Sequence, residues 1–329
     1  MIRFGVIGTS WITDAFIKGA SLNEDFKLAA VYSRTEEKAK KFAEKYSVKN
    51  IFTDLDEMAK SPLIDAVYIA SPNSLHAEQS ILFMSHKKHV LCEKPLASNS
   101  NEVKNMIKAS EDNNVVLMEA LKTGFLPNFI AVKDNLHKLG KIRRVIANFC
   151  QYSSRYDGFK QGNRYNIFDP AFSTGSLMDI GVYCTYFVIN LFGIPKDIMA
   201  IGTMLESGVD GQGTVCLKYD EMEAVIIHSK ITDSAIPSEI QGENGSMVID
   251  KISVPQKVAV HYRSGDTEDI SQPQIEDSMY YEANEFINLI KKGKSQSDIN
   301  SHELSLSVMN VLDEARRQMG VVFPADSCK

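Results

Sequence analysis

With 329 residues, 44 % of them apolar and 24 % charged, the chain has the balance of a globular protein, and its length suggests two cores. A net charge of −6 gives no electrostatic reason to bind nucleic acid or an anionic membrane. Five cysteines (92, 150, 184, 216, 328) are scattered and odd in number, which argues against a disulfide scaffold and a metal site and fits the reducing cytoplasm.

The chain enters a strand at once, over residues 2–8, with no leader-type pattern before it, so a cytoplasmic location is expected. A helix over 11–21, a strand over 27–33 and a helix over 36–46 follow. Next come a buried strand over 65–70, a helix over 75–85, a strand over 89–92, a helix over 101–113 and a strand over 115–119. Strands roughly 25 residues apart with helices between them predict βαβ units and a parallel, doubly wound α/β sheet in a domain of residues 1–122.

Beyond residue 122 the texture changes. A helix with Phe129, Val132 and Leu136 on one side leads to Gly140, and alternating segments follow at 144–152, 199–205, 214–219, 224–231, 246–249 and 258–262. They predict a large, mainly antiparallel open sheet in an α+β domain of residues 123–329. The apolar stretch 177–195 contains Asp179 and Asn190 and reads as a buried helix rather than a membrane span. Helices over 278–292 and 301–319 close the chain.

Gly8-Thr9-Ser10-Trp11-Ile12 joins the first strand to the first helix. A three-glycine dinucleotide fingerprint registered on Gly8 would place its later glycines at Ser10 and Thr13, and both are substituted. Gly8 still permits a tight turn, Ser10 is small, and the helix start offers free N–H groups to a pyrophosphate. The same turn also occurs in α/β proteins that bind no nucleotide. Where an NAD site presents an acid to the ribose, the second strand here ends in Ser33-Arg34, with Lys38 a turn later. A hydroxyl and a guanidinium suit a 2′-phosphate, so NADP(H) is expected in preference to NAD(H), which stays possible; a solvated strand-end arginine is the plainer alternative. The loop Ser71-Pro72-Asn73-Ser74-Leu75-His76 follows the central strand, at the sheet edge where ligands bind. His76 is assigned to cofactor or scaffold, not to proton transfer; a first-turn surface histidine is the ordinary alternative.

Two motifs carry the chemistry: Cys92-Glu93-Lys94-Pro95 after a strand of the first domain, and Asp179-Ile180-Gly181-Val182-Tyr183 opening an apolar helix of the second. A lysine, an aspartate and a tyrosine brought to one cleft form a proton-handling set. Beside a nicotinamide such a set describes oxidation of an alcohol or reduction of a carbonyl.

Taken in order, the glycine turn, Ser71-Pro72-Asn73-x-x-His76, Glu93-Lys94-Pro95 and Asp179-x-Gly181-x-Tyr183 resemble the Gfo/Idh/MocA family. The likeness extends to Met118-Glu119-Ala120 and Glu239-Ile240-Gln241-Gly242-Glu243-Asn244-Gly245. It implies an N-terminal Rossmann domain, a C-terminal domain with a broad open sheet, and a homodimer or homotetramer formed through that sheet. It further implies a catalytic Lys94, often preceding Pro95 through a cis peptide. Many members carry histidine where Tyr183 stands; the tyrosine is similar to the glucose–fructose oxidoreductase and dimeric dihydrodiol dehydrogenase branch, which uses NADP(H). Thr174-Gly175 replaces a double glycine.

The expected reaction is NADP(H)-dependent interconversion of a secondary alcohol and a carbonyl on a small-molecule sugar, polyol or dihydrodiol-like substrate. Tyr183 needs its pKa brought from about 10 to roughly 7–8, about 3–4 kcal/mol. One positive charge about 4 Å away contributes on the order of 4 kcal/mol at an effective dielectric of 20. Lys94 suffices in principle, and the reverse assignment, with Lys94 as the proton donor, stays open. Asp179 and, more weakly, Arg164 and Tyr165 are the substrate candidates; Glu93 joins the cofactor set but also reads as structural. Tyr183 as a core aromatic and Asp179 as a plain helix-start acid are the alternatives. Two other functions compete: a glycosidase using NAD transiently without net turnover, and a non-catalytic nucleotide-binding regulator.

Overall fold

The computed structural model describes residues 1–327, so Cys328 lies outside the described residues. In chain order the first elements are β1 (Ile2–Ile7), α1 (Trp11–Ala20), β2 (Phe26–Tyr32), α2 (Glu36–Lys45), β3 (Asn50–Phe52) and α3 (Leu55–Lys60). Then come β4 (Ala66–Ile69), α4 (His76–Ser85), β5 (His89–Glu93), α5 (Ser100–Asn113) and β6 (Leu117–Ala120). There follow α6 (Pro127–Asn135), β7 (Ile142–Cys150), α7 (Tyr156–Lys160), α8 (Val182–Phe192), β8 (Asp197–Met204), β9 (Asp210–Lys218) and β10 (Glu223–Ser229). The chain closes with β11 (Ser238–Gly242), β12 (Gly245–Ile249), β13 (Val258–Tyr262), β14 (Thr267–Asp269), α9 (Met279–Lys292) and α10 (His302–Met319).

Two compact units result: Met1–Lys122 with Ile275–Ser305, and Thr123–Gln274 with Leu306–Lys329. The expected second domain of 123–329 is corrected in one respect, because residues 275–305 return to the first unit. The cause is aromatic packing. Phe286 of α9 lies 5.8 Å from Phe4 of β1, and Phe4 and Phe16 are fully buried. Burying each such ring contributes roughly 1.5–3 kcal/mol, more than local sequence pattern can offset.

The first sheet is parallel throughout, in the order β3-β2-β1-β4-β5-β6. That order reverses between β1 and β4, the crevice where doubly wound folds bind ligands. Strand β3 and helix α3 are absent from the sequence expectation; three and six residues are too few for periodicity to register.

The second sheet has the order β14-β13-β12-β11-β7-β10-β9-β8, and only β7 and β10 pair in parallel. Its strands alternate. Val145, Ala147, Val215, Leu217, Ala224, Ile226 and Ile240 are buried on one face. The registered rows Met199–Cys216–Val225–Ile146 and Ile201–Thr214–Ile227–Asn148 are exposed or half-buried on the other. Strands β11 and β14 also lie outside the expected set; β11 holds the Glu239–Gly242 motif. The stretch Pro170–Phe192 is long and apolar enough to cross a membrane, but 72 % of its 18-residue apolar window is buried inside the protein, as a core helix requires.

Candidate active site

In the first unit the candidate residues gather at the carboxyl ends of β1, β2, β4 and β5. Gly8 follows β1 with φ +104°, and an added Cβ would lie 2.6 Å from the Ala70 carbonyl oxygen. Only glycine fits there, so the turns after β1 and β4 meet at the switch point. Thr9 and Ile12 are half-buried, while Ser10 and Trp11 are exposed at the start of α1. The Ser10 side chain makes no capping bond, leaving the helix-start N–H groups available to an anion. Ser33 is buried after β2, and its N–H donates to the Phe52 carbonyl at 3.2 Å. Arg34 and Lys38 are exposed, with no carboxylate partner among the described residues.

Beyond β4, Ser71 donates to Gln79 Oε1 at 2.8 Å, and Pro72 leads into a 3-10 turn at Asn73–Leu75. His76 is wholly buried rather than on the surface. Its Nδ1 lies 3.0 Å from the Pro95 carbonyl and its Nε2 2.9 Å from the Ser71 carbonyl. Burial pushes its pKa down, while the two carbonyls favour the imidazolium that alone could donate to both. In either state it ties the loop after β4 to the turn bearing Lys94.

That turn is braced by two further side chains, Tyr68 and Glu119. The Lys94–Pro95 peptide is cis, as the family likeness implies. Glu93 is buried, accepts from the Tyr68 hydroxyl, and accepts from the Lys94 N–H at 3.3 Å; burial raises its pKa. Glu119 of β6 accepts from the Leu96 N–H at 3.0 Å and from the Ser305 hydroxyl at 2.7 Å. Burial lifts Glu119 to about 7. Deeper still, Glu282 of α9 is buried, and its pKa is raised first by burial and then by the charge of Glu93. Tyr68, Ser305 and Glu282 escaped sequence reasoning, and Glu119 entered it only as part of a resemblance. An acid inside an apolar strand was the available signal for Glu119.

In the second unit, the segment Leu177–Gly181 is a π-helical turn running into α8. Such turns are rare and occur often at functional sites. Asp179 and Tyr183 are both half-buried. At four residues' separation they lie on neighbouring turns of one face. The Tyr183 ring packs 5.9 Å from Phe149 of β7. Lys230, directly after β10, forms an ion pair with Asp179. No sequence signal marked Lys230, since a lysine after an apolar strand is ordinary.

The helix start is held by Asp210, fully buried at the head of β9, whose Oδ2 accepts from the Leu177 N–H at 2.6 Å. Gly175 has φ +132°, and a Cβ there would lie 2.3 Å from Asp210 Oδ1. This accounts for the one glycine kept in Thr174-Gly175. Burial raises Asp210 to about 6 and drives His228 down to about 3, so the 3.7 Å contact between them is not an ion pair at neutral pH. His228 Nδ1 lies 2.9 Å from the Ser176 hydroxyl. Arg164 and Tyr165 line a separate cavity of about 340 Å³ with Phe168 and Glu206, and Asp179 and Tyr183 do not line it. Among the described residues no group of three or more His, Cys, Asp or Glu side chains could hold a metal ion.

A strand-order switch point, a glycine-only turn against it and a braced lysine at a strand's carboxyl end define a dinucleotide-binding oxidoreductase fold. Residues 2–121 match the Gfo/Idh/MocA oxidoreductase family with its NAD-binding Rossmann fold, and residues 135–248 match the family's C-terminal domain. The chain is 57 % identical over 326 residues to scyllo-inositol 2-dehydrogenase (NADP(+)) IolU of Bacillus subtilis, covering 99 % of each. It is 32 % identical to trans-1,2-dihydrobenzene-1,2-diol dehydrogenase of Danio rerio, again over 99 % of each chain. Its fold superposes on a 3-ketoreductase from Actinomadura kijaniata, solved with NADP and TDP-benzene, with a TM-score of 0.86 at 23 % identity, covering 98 % of this chain and 99 % of the other. The chain belongs to the Gfo/Idh/MocA family.

Proposed function

We propose that this protein is an NADP(H)-dependent oxidoreductase that interconverts a secondary alcohol and a carbonyl on a polyol, sugar or dihydrodiol-like substrate. The carrying observation is the turn after β5, where buried side chains hold Glu93, Pro95 and Leu96 and thereby the backbone that aims Lys94. The likeness to IolU, whose name specifies scyllo-inositol and NADP(+), supports a cyclic polyol and this cofactor.

The residues of the first unit suit a dinucleotide phosphate. Gly8 leaves room for backbone approach, the α1 start offers N–H donors, and Ser33 with Arg34 and Lys38 matches a 2′-phosphate where an acid would be needed for NAD. Ser71, Pro72 and Asn73 edge the same crevice. A bound nicotinamide would supply the site that accepts or gives the hydride. The chain must then orient the substrate and move one proton. Tyr183 takes that proton from the carbinol oxygen in oxidation and returns it in reduction. Lys94 lowers the cost of the phenolate by its charge, and Asp179 accepts hydrogen bonds from substrate hydroxyls. Arg164 and Tyr165, in their own cavity, serve an outer part of a larger substrate.

We also place assembly, as a dimer or tetramer, on the sheet face that exposes Met199 and Ile201, 58 % and 75 % accessible. Cys92, Cys150, Cys184 and Cys216 are free thiols, which suits the cytoplasm.

Absorbance at 340 nm tests the reading with inositols, aldoses and dihydrodiols, each with NADP+ and NAD+. Steady reduction of NADP+ in preference to NAD+ by a cyclic polyol is expected. No reduction with any member of the panel would overturn it, and product formation without net cofactor reduction would favour the glycosidase alternative.

A further inference from the structure

The proton-handling set leaves one cation unused. Lys230 is only 12 % exposed, and its ammonium pairs with Asp179, itself 26 % exposed. Its backbone is pinned on both sides: the N–H donates to the Gly211 carbonyl at 2.8 Å, and the carbonyl accepts from the Ser153 N–H at 2.9 Å. The sheet therefore fixes the backbone from which the Lys230 side chain reaches Asp179, and both members keep some accessible surface.

We propose that Lys230 and Asp179 together form a hydroxyl-recognition pair, which binds a substrate hydroxyl other than the one oxidised. The proposal rests on the dehydrogenase reading above and names the substrate class of that site. An ionised carboxylate only accepts hydrogen bonds and an ammonium only donates them, whereas a hydroxyl does both. A hydroxyl between them donates to Asp179 and accepts from Lys230, so neither charge loses a partner when substrate enters. A carboxylate or phosphate substituent would meet the like charge of Asp179, and an amine that of Lys230. A neutral polyol satisfies both. Asp179 stands one helical turn before Tyr183, so the recognised hydroxyl neighbours the carbinol whose proton Tyr183 handles. Lys230 is here a specificity-determining residue.

The test compares Lys230→Met, which keeps the stem and removes the charge, with Lys230→Arg, which keeps the charge. In the methionine variant the KM for a cyclic polyol should rise at least about 10-fold, as for loss of one charge-assisted hydrogen bond, with most of the loss in KM rather than kcat. The arginine variant should recover most of it. Binding of the same polyol to the enzyme–NADPH complex, followed by NADPH fluorescence without turnover, should weaken by the same factor while NADPH affinity holds. Lys230→Gln replaces Lys230→Met if the latter does not fold. Unchanged polyol binding in the neutral variant overturns the proposal. So does an equal fall in kcat with a lowered Tm that arginine fails to rescue, which would make Lys230 purely structural. Wild-type enzyme inert toward every polyol would sink the dehydrogenase reading, whereas active wild type with an insensitive Lys230→Met variant would sink this inference alone.

Discussion

The turn bearing Lys94 and the helix bearing Tyr183 are held differently. In the first unit, His76, Glu119 and Tyr68 reach the turn from three other elements, all three buried, and two of them bond its backbone directly. In the second unit, the π-turn is capped from beneath by Asp210 and held from its accessible side by Lys230 on Asp179. Buried hydrogen bonds to backbone resist change because each unmade one costs about 1–3 kcal/mol. A partly accessible ion pair is weaker and can be re-formed around a ligand. The contrast makes the turn of the first unit the more rigid of the two and the ion pair of the second the more adaptable.

The sharpest way to break that contrast is to remove the functional groups of Lys94 and Tyr183. Lys94→Ala and Tyr183→Phe should each lower kcat by at least about 10²-fold, while NADPH fluorescence titration shows the cofactor still bound. A loss of binding that matches the loss of turnover would make the lysine turn a cofactor support only. Next in size is Ser33→Asp, which adds an acid for a ribose hydroxyl and repels a 2′-phosphate. The NADP/NAD ratio of kcat/KM should fall by roughly 10–100-fold with the substrate KM unmoved. An unchanged ratio would refute the cofactor assignment.

The supports separate by stability rather than by rate. Asp210→Ala strips the Leu177 N–H of its acceptor at a fully buried site and should cost about 2 kcal/mol, read as a lower Tm or urea midpoint. A neutral result would show that the helix start needs no cap. The smallest effect is a pH slope. Glu119 titrates at about 7 in the folded chain, above the ordinary carboxyl value of 4.5. Its protonated form is favoured by folding, so its contribution is full below about 4.5 and is lost as pH rises toward 7. Glu119→Gln should flatten the fall of Tm between pH 5 and pH 8, by on the order of 1–3 kcal/mol in stability. An unchanged slope would place the titration elsewhere.

The alternation in the first unit was legible because its central strands β4, β5 and β6 are almost wholly buried and helices such as α1, α2 and α5 are amphipathic, so both periods show in one dimension. Candidates could be nominated where chemistry restricts residue type: Gly8 at a positive-φ turn, Ser33-Arg34 at a strand end, Lys94 before proline. His76 was legible as a residue but not in its environment, because the carbonyls it bridges come from Ser71 and Pro95, on either side of α4 and β5. Lys230 was invisible, since its value comes wholly from Asp179, 51 residues away.

Local pattern therefore determined the alternation of strands and helices and the change of texture near residue 122, and it nominated the candidate groups for holding a nucleotide and moving a proton. Tertiary structure decided that β7 and β10 run in parallel, that residues 275–305 rejoin the first unit, and that Glu119, Asp210 and Lys230 support those groups. The reason is physical: periodicity is a property of neighbours along the chain, whereas burial energy and hydrogen-bond satisfaction are settled between segments far apart in it.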